Sequence, residues 1–332
     1  MFTKRKFIKT TAFLIILLTG FHAGFAQDDK KDAKAESEKT APVGKPVMWE
    51  PVDIASRDLY LGPGGEEMKP DISSITFIEE EKKGASKKYR IKDGAGKIWV
   101  AKIGREAQPE TAAVRLLWAL GYKTEVNYLV PKLTIPGKGT FENVRLEARA
   151  DDVERLKEWK WKENPFTGTK EFQGLKMMMV FFNNWDIVDV QNKILQADSS
   201  EGGKQLQYII SDLGATFGKL GNNNLFIVYR IGRKTGSPSK YLDSEFIDGV
   251  KEGKIDLSYK GKNRDLFTDI TVEDARWLAA LLNQLSDKQI EDAFRAANYS
   301  AEDIETLKQG VKNRITDLNS AAGIEKQTTA RQ

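Results

Sequence analysis

The sequence predicts an α+β fold in two lobes, a small antiparallel sheet with one helix followed by a mainly helical part. Three observations predict it. "ITFIEEEKKGASKKYRIKDGAGKIWVAKIG" alternates β-branched and aromatic residues with polar ones between two glycine-bearing turns, the pattern of an antiparallel meander. "QPETAAVRLLWALGY" has Pro109 at its start, an Ala/Leu-rich body and Gly121 at its end, the marks of one helix. Later come three helix starts, Thr271 with Asp274, Ser286 with Gln289 and Ser300 with Asp303, each a hydroxyl followed three residues on by an acid or amide.

The first element is not part of the fold. Residues 1–26 place Lys4, Arg5, Lys6 and Lys9 before an apolar run from Ala12 to Phe21 and then small residues at Gly24 and Ala26. That is the layout of a secretory signal peptide, too short for a comfortable membrane span, with cleavage expected after Ala26. The expected location is therefore outside the cytoplasm, periplasmic or extracellular, with no integral membrane span after processing. Residues 27–48 are charged and nearly free of aromatics and read as a disordered linker; 49–150 form the first lobe, 151–320 the second, and 321–332 a disordered tail.

Composition excludes several chemistries. Removing residues 1–26 takes away four basic residues and no acid, so the formal charge of +4 falls to zero and a nucleic-acid partner loses its electrostatic support. The only histidine, His22, leaves with the signal, and the chain has no cysteine. A Ser-His-Asp triad, a Cys-His pair, a His/Cys zinc site and disulfides are all excluded. What remains is carboxylates, lysines, amides, hydroxyls and an oxygen-bound cation.

Within the first lobe, strands are expected near residues 75–80, 88–92 and 97–103. The turn Lys82, Lys83, Gly84, Ala85, Ser86 and Lys87 is small and basic, either a phosphate-binding turn or a charged hairpin tip. "DGAG" is an ordinary hairpin signal, and "NYLVPKLTI" and "NVRLEARA" supply two more strands. "GPGG" at 62–65 reads as a turn, since no helix follows it as a phosphate cradle requires. In the second lobe, "WKWKENPFTGTKEF" is an aromatic connector, "LKMMMVFFNNW" a buried helix and "QYIISD" a short apolar strand. Trp159, Trp161 and Trp185 either pack the lobes together or line a groove.

"NNWDIVDVQN", 183–192, puts Asn183, Asn184, Asp186, Gln191 and Asn192 after an apolar run, where polar groups cost free energy unless they are bonded or hold an ion. Before it stand Lys102 in the third strand and Glu110 in the first turn of the next helix; after it, Asp212 follows "YII" in "SDLG". Each has an ordinary alternative: an edge lysine, an acid favoured by the helix dipole, a capping or turn-closing aspartate. Together, a sheet lysine, a helix glutamate, a loop Asp/Asn set and a strand-end Asp are the parts phosphoryl transfer requires, and none needs His or Cys.

"VAK" followed by a helix with an early Glu resembles the first lobe of protein-kinase-like folds, and "SDLG" is similar to the kinase metal-binding Asp-Phe-Gly. "GASKK" resembles the phosphate-binding turn of HipA-type and phosphatidylinositol kinases. "RDLYLGPGG", "PETAAVRLLWALGY", "NNWD" and "SDLGATFGK" together resemble a family of secreted bacterial proteins. The kinase resemblance covers roughly residues 70–230 and implies ATP or another nucleotide with Mg²⁺, and a hydroxyl-bearing acceptor. It implies that Lys102 and the 82–87 turn hold phosphates, Glu110 orients Lys102, Asp186 orients or deprotonates the acceptor, and Asn192 and Asp212 bind metal. The chain departs from the kinase pattern in having Gln191 five residues after Asp186, with Asn192 one later. A catalytically silent binding module and a cell-envelope interaction protein are the alternatives.

Overall fold

The structure, a computed structural model, describes residues 43–82, 86–221, 232–261 and 263–324. The signal peptide, most of the expected linker, Lys83, Gly84 and Ala85, and the last eight residues of the expected tail lie outside the described residues. The described chain enters through β1 (Lys45–Val47), which corrects the linker reading at its end. β1 lies parallel to residues 205–207 with Val47 buried. A three-residue strand whose partner lies so far along the chain leaves no local alternation to read.

The meander and its additions form one antiparallel sheet. β2 (Thr76–Glu81), β3 (Lys87–Lys92) and β4 (Ile98–Ile103) are followed by α1 (Ala107–Ala119), β5 (Asn127–Ile135) and β6 (Gly139–Ala148), in strand order β2-β3-β4-β6-β5. Strand residues alternate faces. On one face Tyr89, Ile91, Trp99, Ala101, Tyr128, Val144 and Leu146 pack into an apolar cluster. On the other stand Val100, Lys102, Arg145 and Glu147, and α1 closes over them. The "DGAG" hairpin is locked by Asp93, which accepts from Lys97 N (2.8 Å), Trp99 Nε1 (2.9 Å) and Asp71 N (3.1 Å).

"GPGG" is a short 3-10 turn, as read, and its first glycine has a packing reason. Gly62 has φ +72°, and a Cβ there would stand 2.3 Å from the guanidinium of Arg115. That guanidinium is buried on α1, donating to Asn127 O (2.7 Å) and Asn127 Oδ1 (3.2 Å). Gly62→Ala adds left-handed strain to overpacking against a charge that cannot leave. The expected loss is about 2–4 kcal/mol in urea unfolding, with an unchanged denaturant slope.

The second part is built on a small sheet and a buried helix. β7 (Glu154–Arg155), α2 (Lys170–Phe181), β8 (Asn192–Asp198) and β9 (Lys204–Ile210) give a sheet of order β1-β9-β8-β7. α2 is buried on nearly every side, with Met177, Met178, Met179, Val180 and Phe181 each fully enclosed, as expected of a helix inside a core. It ends at Asn183, φ +60°, whose N–H bonds Val180 O (2.8 Å), while Asn184 N–H bonds Met179 O (2.9 Å). That is a Schellman closure: the backbone, not the two amide side chains, satisfies the helix-end carbonyls.

α3 (Pro238–Leu242), the hairpin β10 (Ile247–Lys251) and β11 (Lys254–Leu257), then α4 (Val272–Leu282), α5 (Asp287–Ala296) and α6 (Ala301–Ala321) complete the chain. Thr271 and Ser286 make reciprocal capping boxes, while Ser300 caps α6 in one direction only. The hairpin was absent from the sequence reading of this region. The tail reading is corrected at its start: α6 runs to Ala321 and Ala322 is fully buried. Trp159 and Trp161 are buried in the main core, edge to face at 5.0 Å, which resolves them as packing residues. Among the described residues no helix is long and apolar enough to cross a membrane.

Candidate functional site

Strand β4, helix α1 and the segment after β9 converge on one ammonium. Lys102 is 2% exposed, and its Nζ lies 2.9 Å from Glu110 Oε2, 3.1 Å from Asp212 Oδ1 and 3.1 Å from Glu106 Oε2. The sequence reading expected Lys102 and Glu110 to pair, facing Asp212 across a cleft; Asp212 is instead in direct contact with the lysine. The β4-to-α1 reversal explains Glu110: α1 turns back over the sheet, so its first-turn acid meets the strand it has just left. Asp212 arrives because β9 ends at Ile210 and the chain turns beneath the same face, with Gly214 N–H donating to Asp212 Oδ1 at 3.1 Å.

Sequence reasoning missed the residues behind this cluster. Arg145 on β6 is the direct cross-strand partner of Lys102, and its Nη2 reaches Glu110 Oε1 at 3.1 Å and Glu147 Oε2 at 2.6 Å. Each oxygen of Glu110 is therefore held by a different buried cation. Glu147 also pairs with Arg149 and, at 3.6 Å, with Arg155. Arg155 reaches Glu125 at 2.8 Å, and Ser211, next to Asp212, donates to Glu125 at 2.9 Å. The signal was present in "NVRLEARA": alternation puts Arg145 and Glu147 on one face. Naming their partners needed the β4–β6 register.

Burial and charge compete throughout the cluster. Burial works against the charge on Lys102, but Glu110, Asp212 and Glu106 outweigh it, so the ammonium is held well above the ordinary lysine range. Burial likewise opposes Arg145, and Glu110 with Glu147 overcome it. Burial pushes the Glu110 carboxyl up to about 7 in spite of Arg145 and Lys102. Glu147 is driven well below the carboxylate range because Arg149, Arg145 and Arg155 outweigh its burial, and Asp212 is lowered chiefly by Lys102 against the same opposing burial.

A pH prediction follows from Glu110. Its folded pKa lies above its unfolded value of about 4.3, so the folded state binds the extra proton between that value and about 7. Stability from this group is complete below the window and lost as pH rises through it. Glu110→Gln removes the term. The melting temperature of the variant relative to the parent should therefore rise as pH climbs across that window; a constant difference would show that Glu110 does not titrate there.

Asp186 sits on a neighbouring segment and is not among the partners of Lys102. Its N–H donates to Asn184 Oδ1 (2.9 Å), and its Oδ2 accepts from Gln191 Nε2 (3.0 Å). Two backbone bonds tie this loop to the Asp212 segment, Trp185 N–H to Ala215 O (3.3 Å) and Ser211 N–H to Gln191 O (2.7 Å). Asn183 anchors the loop from behind, donating to Gly218 O (2.7 Å) and Ser244 Oγ (2.9 Å).

Asn192 begins β8 opposite Ile210 and is fully buried. Its Nδ2 donates to Trp159 O at 3.0 Å, while its Oδ1 is a buried acceptor without a hydrogen-bond partner among the described residues. Asp212 lies two residues beyond Ile210. An amide oxygen and a carboxylate are donors that suit a hard cation. Among the described residues no three acidic or imidazole side chains are arranged to hold a metal by themselves, so a Mg²⁺ here would need oxygens from its ligand as well.

The basic turn is corrected in part. Lys87 stacks over Tyr89 and Phe141 at 5.1 and 5.2 Å, on the face opposite Lys102. The period of two makes Lys88, the direct partner of Lys102, the β3 lysine on the site's side. Lys82 is exposed, and Ser86 Oγ donates to Glu106 Oε2 at 2.8 Å. Lys83, Gly84 and Ala85 lie outside the described residues.

No protein-family model and no curated protein matches the chain. Among solved structures it is similar to CtkA, a proinflammatory kinase of Helicobacter pylori, at 13% identity and a TM-score of 0.44, covering 77% of this chain and 98% of that one. It is also similar to the Rio2 kinase of Chaetomium thermophilum, described in an ADP/Mg²⁺-phosphoaspartate complex, at 10% identity and a TM-score of 0.30, covering 73% of this chain and 71% of that one. Both neighbours are kinases, and the fold class of this chain is α+β, an antiparallel sheet joined to helices.

Proposed function

We propose that the protein is an exported phosphotransferase of protein-kinase-like build, moving a phosphoryl group from a nucleotide to a hydroxyl acceptor with Mg²⁺. The observation that carries this reading is Lys102, an almost fully buried ammonium joined to a helix glutamate at 2.9 Å and a strand-end aspartate at 3.1 Å. Two of the carboxylates beside it, Asp212 and Glu106, are about a third and a quarter exposed, so the buried ammonium borders solvent in a way that suits the binding of phosphate oxygens. In this reading Lys102 holds phosphate, Glu110 and Arg145 orient it, Asp186 receives the acceptor proton, and Asp212 with Asn192 holds Mg²⁺, which neutralises charge on the phosphates.

Thermal shift of the protein with ATP, GTP and ADP, each with and without Mg²⁺ or Mn²⁺, tests it. A ligand that binds only the folded state at a hundredfold excess over its Kd adds about 2.7 kcal/mol. The expected result is a rise in melting temperature that requires both nucleotide and metal. No rise under any combination would overturn the reading.

A second reading, a binding module without catalysis, draws on Asn192. Its amide is tied to the Trp159 carbonyl inside the core, and Gln191, not an asparagine, holds the position five residues after Asp186. Metal-dependent binding without transfer to any acceptor would favour this second reading.

A further inference from the structure

The carboxylate at Glu106 is not needed by any part of the reading above. It is the N-cap residue of α1, yet its side chain makes no capping hydrogen bond. It turns instead to Lys102 Nζ at 3.1 Å and accepts from Ser86 Oγ at 2.8 Å. Gly214 makes room for it: a Cβ on that glycine would stand 2.7 Å from the Glu106 Cβ. Ser86 and Lys102 thus meet the Glu106 carboxylate, while the Asp-Leu-Gly segment packs against the base of its side chain.

An ammonium has three N–H donors. Glu110 and Asp212 each accept a hydrogen bond from Lys102, while Glu106 is ion-paired with it at 3.1 Å. For a phosphate oxygen to reach the remaining donor, a carboxylate has to give way. Glu110 is fully enclosed and gripped by Arg145 as well, so it stays. Asp212 is tied to the backbone of Gly214. Glu106 is about a quarter exposed and, among the described residues, held from its other side by a hydroxyl, itself a donor suited to phosphate. We infer that Glu106 is a latch that stands in for a phosphate group, bridging Lys102 and Ser86 in the empty site and giving way to the polyphosphate moiety of a ligand. The inference rests on the phosphate-binding reading of Lys102. It adds that affinity is set by competition with a carboxylate of the chain itself.

Inorganic tripolyphosphate, without metal, is the probe, because it tests the latch without a nucleotide pocket. Glu106→Gln keeps the shape and removes the charge; Glu106→Ala removes the side chain, so a folding fault in one is checked by melting of the other. Both should bind tripolyphosphate about tenfold or more tightly than the parent protein, as expected when a charge-assisted competitor is lost. The ratio should persist at high salt, since a contact is being removed; a gain that vanishes with salt would mean only distant repulsion and would overturn the latch. Equal or weaker binding by both variants, or no binding by any of the proteins, also overturns it. Mg²⁺-ATP run in parallel separates the two ideas. Tighter tripolyphosphate binding with no response to Mg²⁺-ATP in any protein keeps the latch and removes the kinase reading.

Discussion

Lys102→Met is expected to cost about 3–5 kcal/mol of stability above neutral pH, because removing one partner of a buried ion pair leaves the other buried and uncompensated. Glu110 is the group left stranded, at 1% exposure, while Glu106 can turn toward water and Asp212 is partly exposed and keeps its bond from Gly214 N–H. Arg145 still holds one Glu110 oxygen at 3.1 Å, and the carboxyl already sits at about 7, so protonation offers an escape. The penalty should therefore shrink below neutrality. Urea unfolding of parent and variant on both sides of neutral pH checks this, and nucleotide binding by the variant should be lost at either pH. A variant as stable as its parent at both, still binding Mg²⁺-nucleotide, would show that the buried lysine neither supports the cluster nor meets a ligand.

How much of this cluster could be read from the chain depends on how local each contact is. Lys102 and Glu110 are eight residues apart in a strand-then-helix reversal, a geometry that short-range patterns carry. Asp212 was legible because an apolar strand opens into Asp-Leu-Gly. Arg145 was not, although it touches Glu110 as closely as Asp212 touches Lys102. Its role depends on β6 pairing with β4 rather than with β3, a choice made by tertiary packing. Glu106 was invisible for a different reason: an acid before a helix reads as a cap, and only the structure shows the side chain turned away from that role. Strand β8 escaped because it is polar, and the β10–β11 hairpin because its strands are polar and short, so their strand character comes from partners. The polar cost of Asn183 and Asn184 after an apolar run was legible, but their partners were not: their backbones close α2, while the Asn183 side chain ties the loop to Gly218 and Ser244 and the Asn184 side chain positions Asp186.

Asp212→Asn is expected to leave the fold nearly intact while reducing Mg²⁺-dependent nucleotide binding, and any phosphoryl transfer, by orders of magnitude. The side chain is about a third exposed, and Asn retains an oxygen for the Gly214 N–H, so a stability change of about 1 kcal/mol or less is expected. The bonds to Lys102 and Gly214 both reach Oδ1, and neither uses Oδ2. A metal bound there would lose a full ligand charge in the variant. Metal-free binding should respond in the opposite sense. Asp212 is one of three carboxylates competing for Lys102, so neutralising it should leave metal-free tripolyphosphate binding unchanged or tighter. The split in sign discriminates between roles. If the variant weakens binding equally with and without metal, Asp212 acts by positioning Lys102 and holds no cation. If it weakens neither, the carboxylate closes a turn and nothing more, and the grouping of Asp186 and Asn192 with it into one phosphoryl-transfer site fails as well.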